Sequence, residues 1–425
     1  MTLLLFGSFF MLLLFGVPIA ISLGLSSVVT MIVFEMPLAA FPSIIFSGTG
    51  KFALLAIPFF VLSGVIMEYA GISKRLVRFA SVMVGHRRGG LAVVTIIVSA
   101  FFAAISGSGP ATVAALGPIL IPAMIAKGYK KDWAAALVAN SGNMGIIIPP
   151  SIILVIYGVL AEVSIVKLFT GGFIPGILFA VALIAVSSFS LRKQKNEIQM
   201  IEKATGKEKL SALKDALWGL MSPVIILGGI YGGVFTPTES AAVSAVYGLF
   251  VGIFVYKEIK LKKLWKVLLD ASVSSASVMF IIATASLFSW ILTSSNMAAE
   301  MAKGLLSISS NRYVILFLIN ILMLIAGMFV DSGSALYIFV PILLPVLRAL
   351  NFDLVAFGVI LTVNLAIGMS TPPVGVDLFV ACNVSGASLS GISKQTFRFV
   401  AASLVVLFLI TFVPEIIMFL PNLIL

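Results

Sequence analysis

The chain has 425 residues, of which 61% are hydrophobic and 10% are charged, and its net charge is +11. A soluble domain has roughly 45–50% apolar and about 25% charged residues, so this composition indicates a single membrane unit without a soluble domain. The basic residues form short clusters between apolar runs, which argues against nucleic-acid binding, and one cysteine and one histidine exclude a disulfide framework or a Cys/His metal cluster.

The N-terminal apolar run, Thr2 to Phe34, lacks a basic leader and a cleavage site, so we expect a retained membrane span rather than a signal peptide. The positive-inside rule places the strongest basic loops in the cytoplasm. It predicts a cytoplasmic N-terminus and a periplasmic C-terminus. The four loops are Lys74 to Arg88, Lys127 to Lys131, Arg192 to Lys214, and Lys257 to Lys266.

Residues 89–126 lie between two of these loops and must cross the membrane an even number of times. They are long enough for two spans, or for a hairpin that enters the membrane and returns. The break Ser106-Gly107-Ser108-Gly109-Pro110 near the middle favours the re-entrant hairpin. Its unpaired backbone groups must then be buried in protein or face a watery cavity.

The chain next crosses outward at about 132–160 and returns at 166–191. A polar linker from Arg192 to about Asp215 and one span, 216–234, follow. Because this span adds an odd number of crossings, the second half begins on the opposite side of the membrane from the first and is inverted relative to it. The predicted units are a first repeat, 1–191, a cytoplasmic linker with a connecting helix, 192–234, and a second repeat, 235–425, with a hairpin at about 312–347 and a broken helix at about 353–385.

Two motifs recur at a constant spacing of 223 residues. Coincidence could produce one such match in a chain rich in leucine and isoleucine, but it does not explain two matches at one spacing. The double prolines should interrupt their helices, because proline removes a donor and clashes with the preceding turn. The matches are Pro118 to Pro122 with Pro341 to Pro345, and Gly145 and Pro149-Pro150 with Gly368 and Pro372-Pro373.

The predicted fold is therefore an all-α polytopic membrane protein with inverted-topology repeats, two re-entrant helical hairpins and two broken transmembrane helices. Interrupted helices at matching positions of inverted halves indicate the binding site of a secondary transporter. Freed carbonyl groups can coordinate Na⁺, and the exposed N–H groups of a helix start can hold a carboxylate.

The polar residues at the two hairpin tips and the two breaks are the candidate ligands. Their hydroxyl, amide and carbonyl oxygens suit a cation, and their donors suit an anion. For substrate we predict Ser108, Thr112, Asn140, Asn143, Ser334 and Asn364. For sodium we predict Ser106, Ser108, Asn143, Gly145, Asp331, Ser332, Gly368, Ser370 and Thr371.

Two carboxylates are of special interest, because an ionisable group inside a membrane segment is costly and usually functional. Asp331, at the second tip, is predicted to bind a cation, although it could instead cap the following helix. Asp377 follows the second double proline. It could line the same cavity or lie at a water-exposed helix end.

Four motifs stand out at the tips, at the breaks and at the start of the second half: Ser106 to Thr112, Asn140 to Ser151, Phe235-Thr236-Pro237-Thr238-Glu239 and Ser370-Thr371-Pro372-Pro373. Together they resemble the large membrane subunit of tripartite ATP-independent periplasmic (TRAP) transporters, and the resemblance covers essentially the whole chain. It implies a bacterial inner-membrane permease with an elevator fold similar to the ion-transporter superfamily, a scaffold, a mobile transport domain and at least two Na⁺ sites near the tips.

The resemblance also implies two partners, a small four-helix membrane subunit and a soluble periplasmic binding protein. Because Met1 nearly begins the first span, we expect the small subunit to be a separate chain. The implied substrate is an organic anion such as sialic acid or a C4-dicarboxylate, and the sequence looks most like the sialic-acid members.

Other functions remain as alternatives. The nearest is a stand-alone Na⁺/organic anion symporter that needs no binding protein. An intramembrane enzyme is disfavoured, because a nucleophile with a base, or a metal set, is scarce among these residues, although paired aspartates are not excluded. A channel would carry uncoupled current. We therefore expect a transporter and not an enzyme.

Overall fold

A computed structural model describes residues 1–87, 89–194, 198–199 and 202–425. Within these residues nine helices are long and apolar enough to cross a membrane, or ten when a pair bent by 40° counts as one span. Arg88 and part of the basic linker, 195–197 and 200–201, lie outside the described residues. The chain is a multi-pass helical membrane protein.

The first half and the connecting segment form twelve helices. The helices are α1 (Thr2–Leu14), α2 (Ile19–Val33), α3 (Phe41–Thr49), α4 (Ala56–Tyr69), α5 (Ile72–Val84), α6 (Gly90–Ser106), α7 (Gly109–Ala126), α8 (Lys131–Gly142), α9 (Met144–Ile147), α10 (Ile152–Ala161), α11 (Ile165–Ser190) and the connecting α12 (Gly206–Tyr231).

The second half forms nine helices. The helices are α13 (Pro237–Phe250), α14 (Leu261–Ser294), α15 (Met297–Ile308), α16 (Arg312–Phe329), α17 (Ser332–Ala349), α18 (Leu354–Met369), α19 (Val376–Ser385), α20 (Leu389–Phe412) and α21 (Glu415–Ile424).

The helix bounds follow the predicted repeat. Shifting α7 by 223 positions gives the bounds of α17, and the same shift brings α6, α8, α10 and α11 onto α16, α18, α19 and α20 to within a few residues at most ends. The peptide bonds Pro149-Pro150 and Pro372-Pro373 are both cis. The two hairpins, α6–α7 and α16–α17, and the two broken helices, α8–α10 and α18–α19, are thus confirmed.

The two broken helices run in opposite directions. Lys131, at the start of the first, donates a hydrogen bond of 2.7 Å to the carbonyl oxygen of Gly386, at the end of the second. Tyr157, near the end of the first, donates a bond of 2.7 Å to the carbonyl oxygen of Leu354, at the start of the second. This antiparallel pairing is the inversion that the sequence predicts.

Three contacts bring segments of the basic loops together at one end of the molecule, which we call the basic end. Arg78 pairs with Asp215 at 2.5 Å, and Arg75 pairs with Glu258 at 3.3 Å. The amide of Gln199 also donates to the carbonyl oxygen of Lys127 at 3.0 Å. The loops therefore share a side, as predicted. Their placement in the cytoplasm stays a prediction.

The N-terminal segment differs from its prediction. The expected span over Thr2 to Phe34 is instead two helices of 13 and 15 residues. Gly16 has a φ of +77°, and Pro18 follows it, so the chain turns between α1 and α2. Glycine tolerates a positive φ, and proline favours a helix start over a helix interior.

Helix α1 folds back along α2. The ring of Phe9 lies 5.7 Å from that of Phe288, in the half of α14 away from the basic end. Helix α3, which follows α2, lies in the same region, since Gly48 contacts Ser286. Helix α2 must end near α3, so it starts close to the basic end and runs away from it. Helix α1, which precedes α2, therefore runs toward the basic end. Met1 therefore lies toward the end opposite the basic loops, whereas the sequence predicts Met1 and those loops on the same side. The side of the membrane on which Met1 lies stays a prediction.

The linker is also shorter than expected. Helix α12 begins at Gly206 rather than near Asp215. Thr205 accepts a hydrogen bond from the amide of Glu208 at 3.3 Å, and the Glu208 carboxylate accepts one from the amide of Thr205 at 2.7 Å. This capping box starts the helix inside the polar segment.

Candidate functional site

Four helices begin at the centre of the fold, two after the hairpin tips and two after the breaks. Ser108 and Ser151 cap α7 and α10 through their hydroxyl oxygens, and Asp331 caps α17 through its carboxylate. The fourth, α19, starts after Gly375. Since a helix start carries exposed N–H groups and a partial positive charge, four partial positive charges meet here, two of them beside the carboxylates of Asp331 and Asp377.

These helix starts line one cavity of about 200 Å³. Each contributes a residue to its wall, namely Ser108, Ile152, Ser332 and Val376. The first tip is fixed to the break beside it, because the amide of Ile152 donates to the carbonyl oxygen of Gly107 at 3.2 Å. No lysine or arginine lines this cavity in the described part of the chain.

Oxygen atoms cluster at the first hairpin tip. The hydroxyl oxygens of Ser106 and Thr112 lie 2.9 Å apart, and Thr112 donates to the carbonyl oxygen of Ser108 at 2.8 Å. Ser106 and Thr112 are both almost fully buried. Three oxygens that the sequence predicts as ligands therefore meet within hydrogen-bond distance.

The first break lies directly against this cluster. A Cβ atom on Gly145 would stand 2.4 Å from the carbonyl oxygen of Ser108 and 2.8 Å from the hydroxyl oxygen of Thr112, so only glycine fits. Asn143 is fully buried, and its Oδ1 atom has no hydrogen-bond partner among the described residues. A buried oxygen of this kind normally has a partner, so the Asn143 Oδ1 atom, two residues from Gly145, is a candidate cation ligand.

The second hairpin makes a comparable approach to its own break. A Cβ atom on Gly368 would stand 2.6 Å from the Cα atom of Gly327, so α16 and α18 touch through their backbones. Carbonyl oxygens of Met369 and Thr371 face Gly375, at 3.1 and 2.9 Å from the position of a Cβ atom there. Backbone oxygens dominate here, whereas side-chain oxygens dominate at the first tip.

The two broken helices are joined through Ser370. Its hydroxyl group donates to Oδ1 of Asn140 at 3.1 Å and accepts from Nδ2 of Asn143 at 2.8 Å. All three side chains are fully buried. Ser370, predicted as a ligand of the second half, therefore contacts the first break rather than Asp331.

The predicted site residues fall into two groups. Ser108, Asp331 and Ser332 line the central cavity. The others do not line it; among them, Asn364 donates to Oδ1 of Asn320 at 2.8 Å and Ser334 donates to Asp331 at 2.6 Å. The predicted residues outside the lining of the central cavity are Ser106, Thr112, Asn140, Asn143, Gly145, Ser334, Asn364, Gly368, Ser370 and Thr371.

The two carboxylates have different surroundings. Asp331 is partly exposed, and its Oδ2 accepts the amide of Ser334 at 3.0 Å, so it caps α17 and also faces the cavity. Asp377 is fully buried in the first turn of α19, and neither carboxylate oxygen has a hydrogen-bond partner among the described residues. The water-exposed position considered for Asp377 is wrong.

The sequence did not reveal the opposite wall of the cavity. That wall is α14, through Val278, Ile281 and Ile282. A second cavity of about 360 Å³ extends from Ser108 along α14 to Glu68, in the last turn of α4 beside the basic end. Apolar residues in an apolar helix cannot be recognised from the sequence as the wall of a cavity. The small residues Ser272 to Ser277 were the one available sign of a surface that other helices could approach.

Residues 6–416 match the family model described as the tripartite ATP-independent periplasmic transporter, DctM component. The chain belongs to this family. The DctM description makes it one component of a three-part transporter. The motifs at the tips and breaks are therefore those of a known permease, as the resemblance indicated.

Named relatives agree with this assignment. The isethionate TRAP transporter permease protein DctMQ of Oleidesulfovibrio alaskensis is 44% identical over 98% of this DctM-family chain and 65% of its own length. The C4-dicarboxylate large permease protein DctM of Rhodobacter capsulatus is 38% identical over 99% of both chains. The sialic acid permease protein SiaT of Haemophilus influenzae is 37% identical over 96% of this chain and 66% of its own length.

The fold also has a solved counterpart. The crystal structure of the YdaH transporter of Alcanivorax borkumensis superposes with a TM-score of 0.65 at 14% identity, over 88% of this chain and 87% of that one. At this identity the match concerns the fold alone. It agrees with the all-helical inverted-repeat fold of this DctM-family chain.

Proposed function

We propose that this chain is the transporting subunit of a sodium-coupled uptake system for an organic anion in the bacterial inner membrane. A periplasmic binding protein delivers the anion, and a small four-helix subunit completes the membrane part. The central cavity carries the proposal, because two hairpin tips and two broken helices meet there and no basic side chain of the described residues lines its wall.

The electrostatics of the cavity support an anionic substrate. A carboxylate there would meet the starts of α7, α10, α17 and α19, whose N–H groups and dipoles favour negative charge. Isethionate, C4-dicarboxylates and sialic acid are named for the relatives. We propose a substrate of this class. The first two relatives are at least as similar as the sialic-acid one, so similarity does not single out sialic acid.

The oxygen clusters support sodium coupling. Because no lysine or arginine of the described residues lines the wall, bound cations would supply positive charge beside the anion. The cluster of Ser106, Ser108, Thr112 and the unpartnered Oδ1 of Asn143 is the proposed first Na⁺ site. The carbonyl oxygens around Gly375, with Asp331 and Ser332 nearby, are the proposed second site.

The cavities support an elevator mechanism. The second cavity joins the first tip to the basic end, between α4 and α14 on one side and α7 on the other. We propose that α4 and α14 belong to a fixed scaffold. The hairpins and broken helices would slide along α14 as one transport domain and carry the anion between the two sides of the membrane.

Uptake by proteoliposomes tests the proposal. The chain is reconstituted with its small subunit and given its binding protein loaded with labelled C4-dicarboxylate, sialic acid or isethionate. An inward Na⁺ gradient should drive accumulation of one of them, and a K⁺ gradient should not. Accumulation with the binding protein omitted would instead favour the stand-alone symporter. Labelled anion that only equilibrates, with no Na⁺ dependence, would contradict sodium coupling.

A further inference from the structure

Asp377 is a buried carboxylate that neither proposed Na⁺ site uses. Its side chain is 0% exposed, and both its oxygens lack hydrogen-bond partners among the described residues. The two ion pairs of those residues, Arg75–Glu258 and Arg78–Asp215, do not involve it. Because a buried carboxylate without a partner costs several kcal/mol, it requires a compensating charge or a bound proton.

The carboxylate faces the junction between the first hairpin and the first broken helix. A Cβ atom on Gly109 would stand 2.8 Å from Oδ2 and 3.3 Å from Oδ1 of Asp377. The position of a Cβ atom on Gly142 is contacted by the Cγ2 methyl group of Val113, and it lies 3.2 Å from the carbonyl oxygen of Gly109 and 3.5 Å from Oδ2 of Asp377. A neutral carbonyl oxygen and a carboxylate oxygen thus face the same small region, where glycines let the backbones approach closely.

We propose that Asp377 holds an additional cation, Na⁺, between α19, the start of α7 and the end of α8. The proposal rests on the proposed sodium coupling and adds a site to it. One carboxylate with the neutral carbonyl oxygen of Gly109 suits a monovalent cation. Since the three helices come from both halves of the repeat, an ion there would hold the first tip against the second broken helix.

The alternative is that Asp377 only balances the positive end of α7, because the first turn of a helix favours an acidic group. The two roles differ in what happens when the charge is removed. A carboxylate that needs Na⁺ destabilises the protein when Na⁺ is absent. A neutral residue in its place should therefore make the protein more stable in a buffer without Na⁺. A carboxylate that serves the helix start stabilises the protein in any salt.

The experiment compares the purified full-length chain with Asp377→Asn, using Na⁺ alone as the ligand. At saturation, ²²Na⁺ binding should fall by one ion per chain in the variant. Its Tm in choline chloride should equal or exceed that of the unchanged chain, and its rise in Tm on adding NaCl should be smaller. Asp353→Asn is the matched control, because Asp353 caps α18 through the amide of Ala356 at 2.8 Å. Asp353→Asn should keep the full rise in Tm on adding NaCl.

Gly109→Ala provides a second variant that keeps the carboxylate, since its methyl group would displace the Asp377 oxygens. It too should bind one ion fewer. Equal ²²Na⁺ binding by the unchanged chain and Asp377→Asn, or an equal loss of Tm in both salts, would overturn the Asp377 site alone. Absence of any Na⁺ binding by the unchanged chain would overturn sodium coupling together with this site.

Discussion

Asp331 combines two roles that the sequence left as alternatives. Its Oδ2 accepts from the amide of Ser334 at 3.0 Å, which is the geometry of a helix cap. The same side chain lines the central cavity, where a cation ligand would lie. Capping needs an acceptor oxygen, which asparagine also provides, whereas strong cation binding needs the negative charge.

Asp331→Asn and Asp331→Ala therefore separate the two roles. Asparagine should keep the cap and leave the Tm nearly unchanged, and alanine should cost about 0.5–2 kcal/mol of stability. Both should raise the Na⁺ concentration for half-maximal uptake, because both remove the charge. The measurements are thermal unfolding and Na⁺ dependence of uptake. A normal Na⁺ curve for Asp331→Asn beside an impaired Asp331→Ala would leave Asp331 as a cap only.

At the scale of single residues, the sequence predicts those residues whose role depends on close approach of the backbone. Gly145 and Gly368 were recognisable because they precede double prolines in otherwise apolar spans, and both prove to touch a hairpin. Hydrogen-bond partners were not predictable. Asn364 pairs with Asn320, a residue 44 positions away, and only the packing of α16 against α18 brings them together.

Among the elements, the two broken helices are joined at their breaks by the hydroxyl group of Ser370. Ser370 stands between Asn140 and Asn143, so the breaks in the two halves share a single buried network. A buried network of this kind is sensitive to the loss of one member, because the remaining polar groups stay buried without partners.

Ser370→Ala should accordingly destabilise the chain by about 1–3 kcal/mol, since the Asn140 and Asn143 amides each lose a partner. It should also weaken Na⁺ binding at the first tip, because Asn143 loses the contact that orients it. Ser403→Ala is the matched control. Ser403 is equally buried but bonds only the carbonyl oxygen of Phe399 in its own helix. Equal effects of the two variants on thermal unfolding and on Na⁺ dependence would contradict a linking role for Ser370.

Element boundaries show which sequence signals are reliable. The tip Ser106-Gly107-Ser108 was placed correctly, because glycine and a capping serine end one helix and start another. The N-terminal run was misread, because Gly16 and Pro18 break a stretch whose apolar composition alone suggests one span. The start of α12 was missed because the Thr205–Glu208 capping box lies within a charged segment.

For the whole molecule, the side of the membrane on which each end lies follows from two observations. The basic loops share one end of the molecule, and α1 begins toward the opposite end. With the basic end in the cytoplasm, Met1 should lie on the periplasmic side, contrary to the expectation from a single N-terminal span.

Labelling of single cysteines tests this topology. Thr2→Cys and Lys207→Cys, both at exposed positions, are made in a Cys382→Ser background. In spheroplasts a membrane-impermeant maleimide should label Thr2→Cys, and it should label Lys207→Cys only after the membrane is permeabilised. Protection of Thr2→Cys until permeabilisation would place both segments in the cytoplasm and contradict the fold-back of α1.

The proposed elevator requires that contacts between scaffold and transport domain break in each cycle. In that proposal, one such contact joins α4 to the first hairpin. A Cβ atom on Gly64 would stand 3.8 Å from the Cβ atom of Ser106, which lies within the range of about 3.5–4.5 Å found in disulfides. A disulfide at this position would fix the first hairpin against α4 in the arrangement of this structure.

Gly64→Cys with Ser106→Cys, in the Cys382→Ser background, should therefore lose uptake on oxidation and regain it with a reductant. Each single variant controls for damage to the tip, since Ser106→Cys alone changes a proposed Na⁺ ligand but should not respond to oxidation. The disulfide is checked by a mass difference or a thiol stain. Full cross-linking with undiminished uptake would mean that α4 and α6 stay together throughout the cycle, and the moving domain would then have to exclude the first hairpin.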